Sequence, residues 1–307
     1  MTQGPGRWAL VAILLAVGTG WGSSQATGKM AAEGGEGPFG LMFWQLAICT
    51  VFLGAISLAR GRGLVLRPAA LRFYAVVALL GTLVPNWTFY TAVVHLPAGV
   101  MSLIIALVPM LSLPLSVAAG IDGFSALRVA GLGLGLLGVA LIAAPGGGAV
   151  LTPPMLAWLP VALVGPLFYA LEATWVAREG TAGMDAVQAM FGASAAGLLL
   201  CVPPMLLTGQ FYVPRAPFDR SEVALLVMSV SHAALYATYV WLAATAGAVF
   251  AAQSSYVVTV TGVFWAMLLL GERFPPTVWT ALLALLAGLA LVQPRRRQRA
   301  EGKPCSA

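Results

Sequence analysis

Glu172 is a carboxylic acid inside a long apolar stretch, where an ionisable side chain is costly and for that reason indicates a function. Tyr169 precedes it by three residues, so both side chains share one face of a helix. A carboxylate in such a place relays a proton or binds the ammonium group of a substrate, and the sequence leaves both interpretations open. The structural alternative is that Arg178 or water satisfies Glu172, which lies about two turns from the expected end of its helix.

Helical spacing places further polar residues on one face of five other apolar stretches. Because polar groups in hydrocarbon cost free energy, these faces are expected to line a cavity or to contact another helix. Small residues such as Ser102 equally suit close packing of two helices, which stays the alternative for them. Together with Tyr169 and Glu172, the candidate substrate-binding residues are Thr19, Asn86, Tyr90, Ser102, His232, Tyr236, Tyr256 and Thr259.

The composition shows what kind of element positions these residues. Of the 307 residues, 60% are hydrophobic and only 8% are charged, whereas a soluble domain is about 25% charged because its surface faces water. A lipid bilayer is therefore the expected surrounding. The formal net charge of +6 does not indicate nucleic-acid binding, because the basic residues cluster between apolar segments and in the tail. The three cysteines show no disulfide or metal-site spacing, and neither a cofactor nor a metal is expected.

A helix needs about 20 mostly apolar residues to cross the hydrocarbon core of a bilayer. Ten stretches meet this requirement and predict an all-α polytopic membrane protein with ten transmembrane helices. The first stretch also has features of a signal peptide, an alternative that the repeat described below opposes. The predicted helices are 8–25, 39–58, 72–92, 97–119, 126–144, 157–177, 186–207, 222–243, 247–270 and 276–293.

The basic residues fall unevenly on the two sides of such an arrangement. One side holds Lys29, Arg215, Arg220 and Arg273, and the other side holds the remaining 12 of the 16 Lys and Arg residues. Positive charge is retained on the cytoplasmic side of a membrane. Both termini, including the basic tail 295–307, are therefore predicted to be cytoplasmic in a bacterial inner membrane, which requires an even number of helices.

Landmarks of the sequence recur at an offset of 150 residues. Trp8 aligns with Trp158, and Asp122 aligns with Glu272. We therefore predict two five-helix units, residues 1–148 and 149–294. Because five is an odd number, the second unit enters the membrane from the opposite side, which is the inverted repeat of many transporters. In such repeats the substrate site lies near the membrane midplane, between the two units.

These landmarks resemble a known family. The segments that carry the resemblance are Ala98-Gly99-Val100, Pro109, Gly120-Ile121-Asp122 and Leu269-Leu270-Gly271-Glu272-Arg273. They are similar to the two domains of EamA-type transporters of the drug/metabolite transporter superfamily, and the resemblance covers residues 8–293. Ile121-Asp122 departs from the usual Gly-Glu of the family. The resemblance implies efflux or facilitated passage of amino acids, nucleobases or similar metabolites through a central cavity.

The sequence therefore predicts a secondary transporter that exports small neutral or zwitterionic metabolites such as amino acids. Its expected partners are this small-molecule substrate and the lipid bilayer, with no nucleic acid, while proton coupling and a homodimer stay open. A channel-like facilitator is the alternative. Ser194 and His232 give a weak match to an intramembrane serine protease, which the ten-helix repeat opposes, so no catalytic residue is expected.

One motif invites a different interpretation. Residues 133–138, with glycines at 133, 135 and 138, satisfy the G-x-G-x-x-G pattern of dinucleotide-binding proteins. No strand precedes them and they lie inside a predicted membrane helix, so we expect them to serve helix packing.

Overall fold

The computed structural model of the chain describes residues 6–144, 150–246 and 248–292, and in these ranges it consists of α-helices and their connections without a strand. The helices are α1 (Arg7–Ala32), α2 (Pro38–Ala59), α3 (Pro68–Ala78), α4 (Val84–Val93), α5 (Ala98–Ile105), α6 (Val108–Ala118), α7 (Ala126–Ala143), α8 (Pro153–Leu156), α9 (Leu159–Glu179), α10 (Ala186–Leu207), α11 (Arg220–Ala246), α12 (Ala248–Ala252), α13 (Ser254–Leu270) and α14 (Pro276–Val292).

Nine helical spans in the described ranges are long and apolar enough to cross a membrane, and α14, with 17 residues, is a shorter tenth. Several spans combine two helices that follow each other directly, as α5 and α6 do over Ala98–Ala118. The predicted all-α polytopic class with about ten crossings is confirmed. The division into units 1–148 and 149–294 stays a prediction, and the tail 295–307 lies outside the described residues.

Proline and capping residues set many helix boundaries. Pro38 and Pro276 occupy the first positions of α2 and α14, where the missing N–H group costs nothing. Asp185 caps α10 by accepting a hydrogen bond from the backbone N–H of Gln188 at 3.1 Å. Helix α13 ends at Gly271 in the left-handed conformation (φ 67°), which glycine adopts without strain.

Two spans are interrupted near prolines. Helix α5 ends at Ile105 and α6 begins at Val108, because Pro109 has no N–H group to donate to the carbonyl four residues before it. Between α3 and α4 the chain forms a π-helical turn, Leu79–Leu83, just before Pro85. Such turns occur frequently at functional sites, and both interruptions contribute residues to the cavities described below.

The helices of the two predicted units contact each other in matching pairs. Helix α1 packs on α13 and α11, and its counterpart α9 packs on α6 and α4. Helix α2 packs on α11, and its counterpart α10 packs on α3. Three further contacts join a helix to its own counterpart in the other unit: α2 with α10, α5 with α13, and α7 with α14. Two equivalent five-helix units related by a two-fold axis would make this set of contacts. The cavities lie where the paired helices meet in the middle of the bundle.

The connections between helices gather at two opposite ends of the bundle. At one end, which we call the Lys29 end, the Lys29 Nζ lies 3.5 Å from Glu272 Oε1 and donates a hydrogen bond to the Leu96 carbonyl at 2.9 Å. Glu272 also accepts from the backbone N–H groups of Ala98 at 2.7 Å and Gly99 at 3.0 Å. One carboxylate thus caps the N-terminus of α5, a helix of the other predicted unit, and holds the end of α1 against it.

The other end, which we call the Arg60 end, is joined by Asp185. Its carboxylate lies 3.4 Å from the Arg60 guanidinium and 2.5 Å from that of Arg62, so α10 is tied to the end of α2. Burial alone would raise the pKa of Asp185. The hydrogen bond from the Gln188 backbone N–H group and the two nearby guanidiniums outweigh this effect and hold the pKa below its usual value. Asp185 therefore stays ionised at neutral pH.

Removing the Glu272 carboxylate is expected to destabilise the Lys29 end. Glu272→Ala leaves two helix N–H groups without an acceptor and Lys29 without its nearer carboxylate, so the free energy of unfolding should fall by about 2 kcal/mol. Denaturation with sodium dodecyl sulfate measures this loss. Glu33→Ala is the control, because Glu33 is half exposed and lies 4.0 Å from the same Lys29 Nζ. Equal effects of the two substitutions would contradict the capping role.

Candidate functional site

Two adjoining cavities lie in the middle of the bundle among α1 to α5 and α9 to α11. We call them the amide cavity, of about 90 Å³, and the carboxylate cavity, of about 160 Å³. Pockets for drug-sized ligands measure roughly 300–1,000 Å³, so these volumes suit a small metabolite. Both cavities are lined by Gln45, Asn86, Tyr169 and His232; the amide cavity adds Gln25, Pro85, Tyr90, Met101 and Ile105, and the carboxylate cavity adds Gly81, Glu172, Ser194 and Tyr236.

Glu172 lines the carboxylate cavity from α9, seven residues before that helix ends at Glu179. Seven residues of helix span about 10 Å, which places the carboxylate well inside the bundle. In the described part of the chain, this carboxylate accepts no hydrogen bond and has no basic side chain within salt-bridge distance. Arg178 is instead paired with Glu179 at 3.8 Å. Arg178 therefore does not pair with Glu172, as the structural alternative had required.

Gly81 allows the Glu172 carboxylate to lie against the backbone of the π-helical turn. A methyl group at Gly81 would be 2.5 Å from Glu172 Cδ and 2.6 Å from its Oε2, closer than nonbonded atoms approach. A larger residue at position 81 would displace the Glu172 carboxylate, the movable end of that side chain, from the turn. The π-helical turn and Glu172 form one wall of the carboxylate cavity.

A hydrogen-bonded network of uncharged side chains forms the boundary between the two cavities. Gln45 Oε1 accepts from Asn86 Nδ2 at 3.1 Å and from the Tyr90 hydroxyl at 2.9 Å. The Tyr169 hydroxyl donates a longer bond, 3.5 Å, to Asn86 Oδ1. The network joins α2, α4 and α9, and it presents amide and hydroxyl groups to both cavities. Such groups can bind either a hydrogen-bond donor or an acceptor of a ligand.

Helix α11 contributes an imidazole and a phenol. His232 lines both cavities and Tyr236 lines the carboxylate cavity, one helical turn further along. The His232 ring lies 6.4 Å from that of Trp21 on α1. Ser194 lines the same cavity, but in the described ranges its hydroxyl makes no hydrogen bond with His232. The two residues therefore lack the contact between nucleophile and base that a serine protease requires.

Six of the ten predicted binding residues meet at these cavities: Asn86, Tyr90, Tyr169, Glu172, His232 and Tyr236. The other four, Thr19, Ser102, Tyr256 and Thr259, line neither cavity in the described ranges. Ser102 is 1% exposed, donates to the Ala98 carbonyl at 3.0 Å and lies against Gly262 of α13. Thr259 is equally buried and donates to the carbonyl one turn before it. For these two hydroxyls the packing alternative is the one that the contacts favour.

Gln45 occupies the centre of the site and was absent from the predicted residues. It is the only amide side chain in the apolar stretch 39–58, which is a signal that the sequence contains. Its neighbours on the same helix face, Leu41, Met42 and Cys49, form no polar stripe, so helical spacing did not reveal it. A lone large polar residue in a membrane segment is as informative as a stripe, because it has to find a partner in the bundle interior.

Comparison with known proteins was consistent with this architecture. Residues 7–144 match the model of the EamA-like transporter family. The chain is 26% identical over 296 residues to a protein of Streptantibioticus cattleyicolor named "Probable terminal-alkyne amino-acid exporter", and the alignment covers 94% of this chain and 93% of that relative.

A solved structure described only as "Crystal structure of protein" has a similar fold. The TM-score is 0.63, and the match covers 92% of this chain and 97% of the other. At 19% identity the likeness shows the fold alone. The helical arrangement described above is therefore one that an experimentally determined protein also adopts over nearly the whole chain.

Proposed function

We propose that this chain, whose residues 7–144 match the EamA-like transporter family, is a secondary transporter that exports small neutral or zwitterionic organic metabolites such as amino acids. The family match and the relative named as an exporter indicate a transporter and not an enzyme. The substrate class, the direction and the membrane are our proposal. The lining of the two cavities and the distribution of charge support it.

The observation that carries the proposal is the unpaired Glu172 carboxylate facing a cavity in the bundle interior. An ionised carboxylate without a partner is costly in such a place, and a ligand ammonium group would offset that cost. Lys and Arg line neither cavity in the described ranges, so a phosphate ester would find no counter-charge there. The uncharged network around Gln45 suits a ligand with both donors and acceptors.

Two further observations support the finer parts of the proposal. The relative from Streptantibioticus cattleyicolor is named as an amino-acid exporter, which makes an amino acid our first choice of substrate. Seven of the Arg residues in the described ranges belong to the Arg60 end, and the retention of positive charge in the cytoplasm supports a cytoplasmic position of that end. These residues are Arg7, Arg60, Arg62, Arg67, Arg72, Arg128 and Arg178. Both termini would then be cytoplasmic in a bacterial inner membrane.

We place transport in an alternating-access cycle. The substrate enters the cavities from the Arg60 end, binds with its ammonium group at Glu172, and leaves when the Lys29 end opens and the Arg60 end closes. A proton and an ammonium group compete for the same carboxylate, so protonation of Glu172 would release the substrate and couple its export to proton entry. The two ion-paired ends, Lys29 with Glu272 and Asp185 with Arg60 and Arg62, are the contacts that have to break in turn.

Reconstitution into proteoliposomes tests the proposal. The purified chain is supplied with each of the standard amino acids in radiolabelled form, with and without a pH gradient. We expect saturable uptake, acceleration by unlabelled substrate on the opposite side, and a response to the gradient. Flux that never saturates and shows no such counterflow would instead identify a channel-like facilitator. Absence of flux for every amino acid, with flux of anionic phosphate esters, would overturn the proposed substrate class.

A further inference from the structure

Gln45 has two side-chain N–H groups for which the described residues provide no acceptor. The side chain lies on α2, is 9% exposed and lines both cavities. In the described ranges its Nε2 donates no hydrogen bond to protein, although its Oε1 accepts two. Among the described residues, the fully buried side-chain atoms without a partner are Trp21 Nε1 and Thr50 Oγ1, so Gln45 Nε2 is accessible from a cavity and can donate to a ligand or to water there.

The orientation of this amide follows from its neighbours. Tyr90 is 2% exposed, and its hydroxyl hydrogen has Gln45 Oε1 as its acceptor at 2.9 Å. Asn86 Nδ2 donates to the same oxygen at 3.1 Å. The Tyr90 hydroxyl has no other acceptor in the described ranges, so it donates to Oε1, and the opposite arm of the amide is the NH₂ group. Gln45 therefore faces the cavities as a fixed double donor, held by α4.

Glu172 supplies the complementary acceptor in the carboxylate cavity, which Gln45 also lines. A carboxylate accepts hydrogen bonds only, and the amide NH₂ group donates only. Among the described residues that line the cavities there is no Lys or Arg to receive a ligand carboxylate. A zwitterion needs both kinds of partner. The side-chain NH₂ group of Gln25 is also without an acceptor in the described ranges, but Gln25 lines the amide cavity alone, whereas Gln45 lines the carboxylate cavity together with Glu172.

We propose that Gln45 determines specificity by donating from Nε2 to a carboxylate or carbonyl oxygen of the substrate, while Glu172 receives the ammonium group. This inference rests on the proposed function and names the second recognition point of the same site. A neutral donor holds a carboxylate less tightly than Lys or Arg would, which suits a carrier that must also release its substrate. Asn86 and Tyr90 act as positioning residues, because they donate hydrogen bonds to Gln45 Oε1 and so fix the orientation of the amide.

Competition between two related ligands tests the inference. The first ligand is the amino acid that the wild-type protein carries best among the standard twenty, and the second is the amine formed by its decarboxylation. Gln45→Leu removes the donors, and Gln45→Glu replaces them with an acceptor while keeping an oxygen for Tyr90 and Asn86. Loss of a hydrogen bond to a charged group weakens binding about tenfold or more, so the KM for the amino acid should rise by that factor in both variants.

The amine has no carboxylate, so its inhibition constant should stay within about twofold in Gln45→Leu and should fall in Gln45→Glu. The ratio of the amine's inhibition constant to the amino acid's KM therefore drops about tenfold or more in each variant. Gel filtration shows that each variant is folded before its kinetics are measured. An unchanged ratio would show a merely structural role and overturn the inference while leaving amino-acid transport intact. A wild-type protein that carries no amino acid would overturn both proposals together.

Discussion

Glu172→Gln is expected to lower the initial rate of substrate counterflow by roughly 30-fold or more, since truncating one partner of a desolvated charge pair costs 2–5 kcal/mol. The glutamine keeps the size of the side chain, but it cannot form an ion pair with an ammonium group or exchange a proton. Its effect should therefore appear in transport and in the response to a pH gradient. Counterflow in proteoliposomes, measured at equal amounts of incorporated protein, gives the result.

The free energy of unfolding of the same variant should rise or stay unchanged. In the described ranges the Glu172 carboxylate has no protein partner, so removing its charge leaves no other group unpaired. Glu179→Gln is the matched control on the same helix: Glu179 lies at the exposed end of α9, 3.9 Å from Arg72, and faces neither cavity. Counterflow that is unchanged in Glu172→Gln, or reduced equally in Glu179→Gln, would contradict the role of Glu172 in binding.

Hydropathy predicted the spans well because the hydrocarbon core imposes one length on every crossing helix. The predicted helix 186–207 has the observed bounds of α10, and 39–58 differs from α2 by one residue at each end. The interruptions were harder to place. Pro85 and Pro109 each lack the N–H group of one helical hydrogen bond. The structure adds how the chain responds at each proline: a π-helical turn forms before Pro85, and α5 ends at Ile105 before Pro109.

Side-chain spacing predicted which residues share a helix face, but it does not say what that face meets. Asn86, Tyr169 and His232 share a lining because large polar groups have few acceptable places in a bundle. Ser102 satisfies its hydroxyl within its own helix, so packing against Gly262 and lining a cavity give the same sequence pattern. Glu272 lies in the loop between α13 and α14, and it caps α5 of the other predicted unit, a contact between distant segments that no local pattern encodes.

The glycine motif at residues 133–138 illustrates the same limit. Gly135 and Gly138 contact Met110 and Leu285 of neighbouring helices, whereas a methyl group at Gly133 would meet no atom within 4 Å. Gly131, outside the motif, also packs against α14, where a methyl group on it would lie 2.7 Å from the Gly288 carbonyl oxygen. Two of the three motif glycines therefore serve helix packing, as expected, whereas Gly133 does not.

Gly131→Val should therefore be among the most destabilising substitutions in the chain, and Gly133→Val should be close to neutral. A Cβ at Gly131 would lie 2.7 Å from the Gly288 carbonyl oxygen and 2.9 Å from Leu291 Cβ, so α7 and α14 would have to separate. Overpacking costs typically 1–3 kcal/mol, and we expect about 3 kcal/mol here because a backbone atom cannot move aside as a side chain does. Denaturation with sodium dodecyl sulfate compares the two variants on one helix, two residues apart.

Since α7 and α14 line neither the amide nor the carboxylate cavity in the described ranges, Gly131→Val protein that still folds should keep its KM. Equal stability of the two variants would mean that the helices can separate without loss, and a changed KM would mean that the α7–α14 pair positions the site.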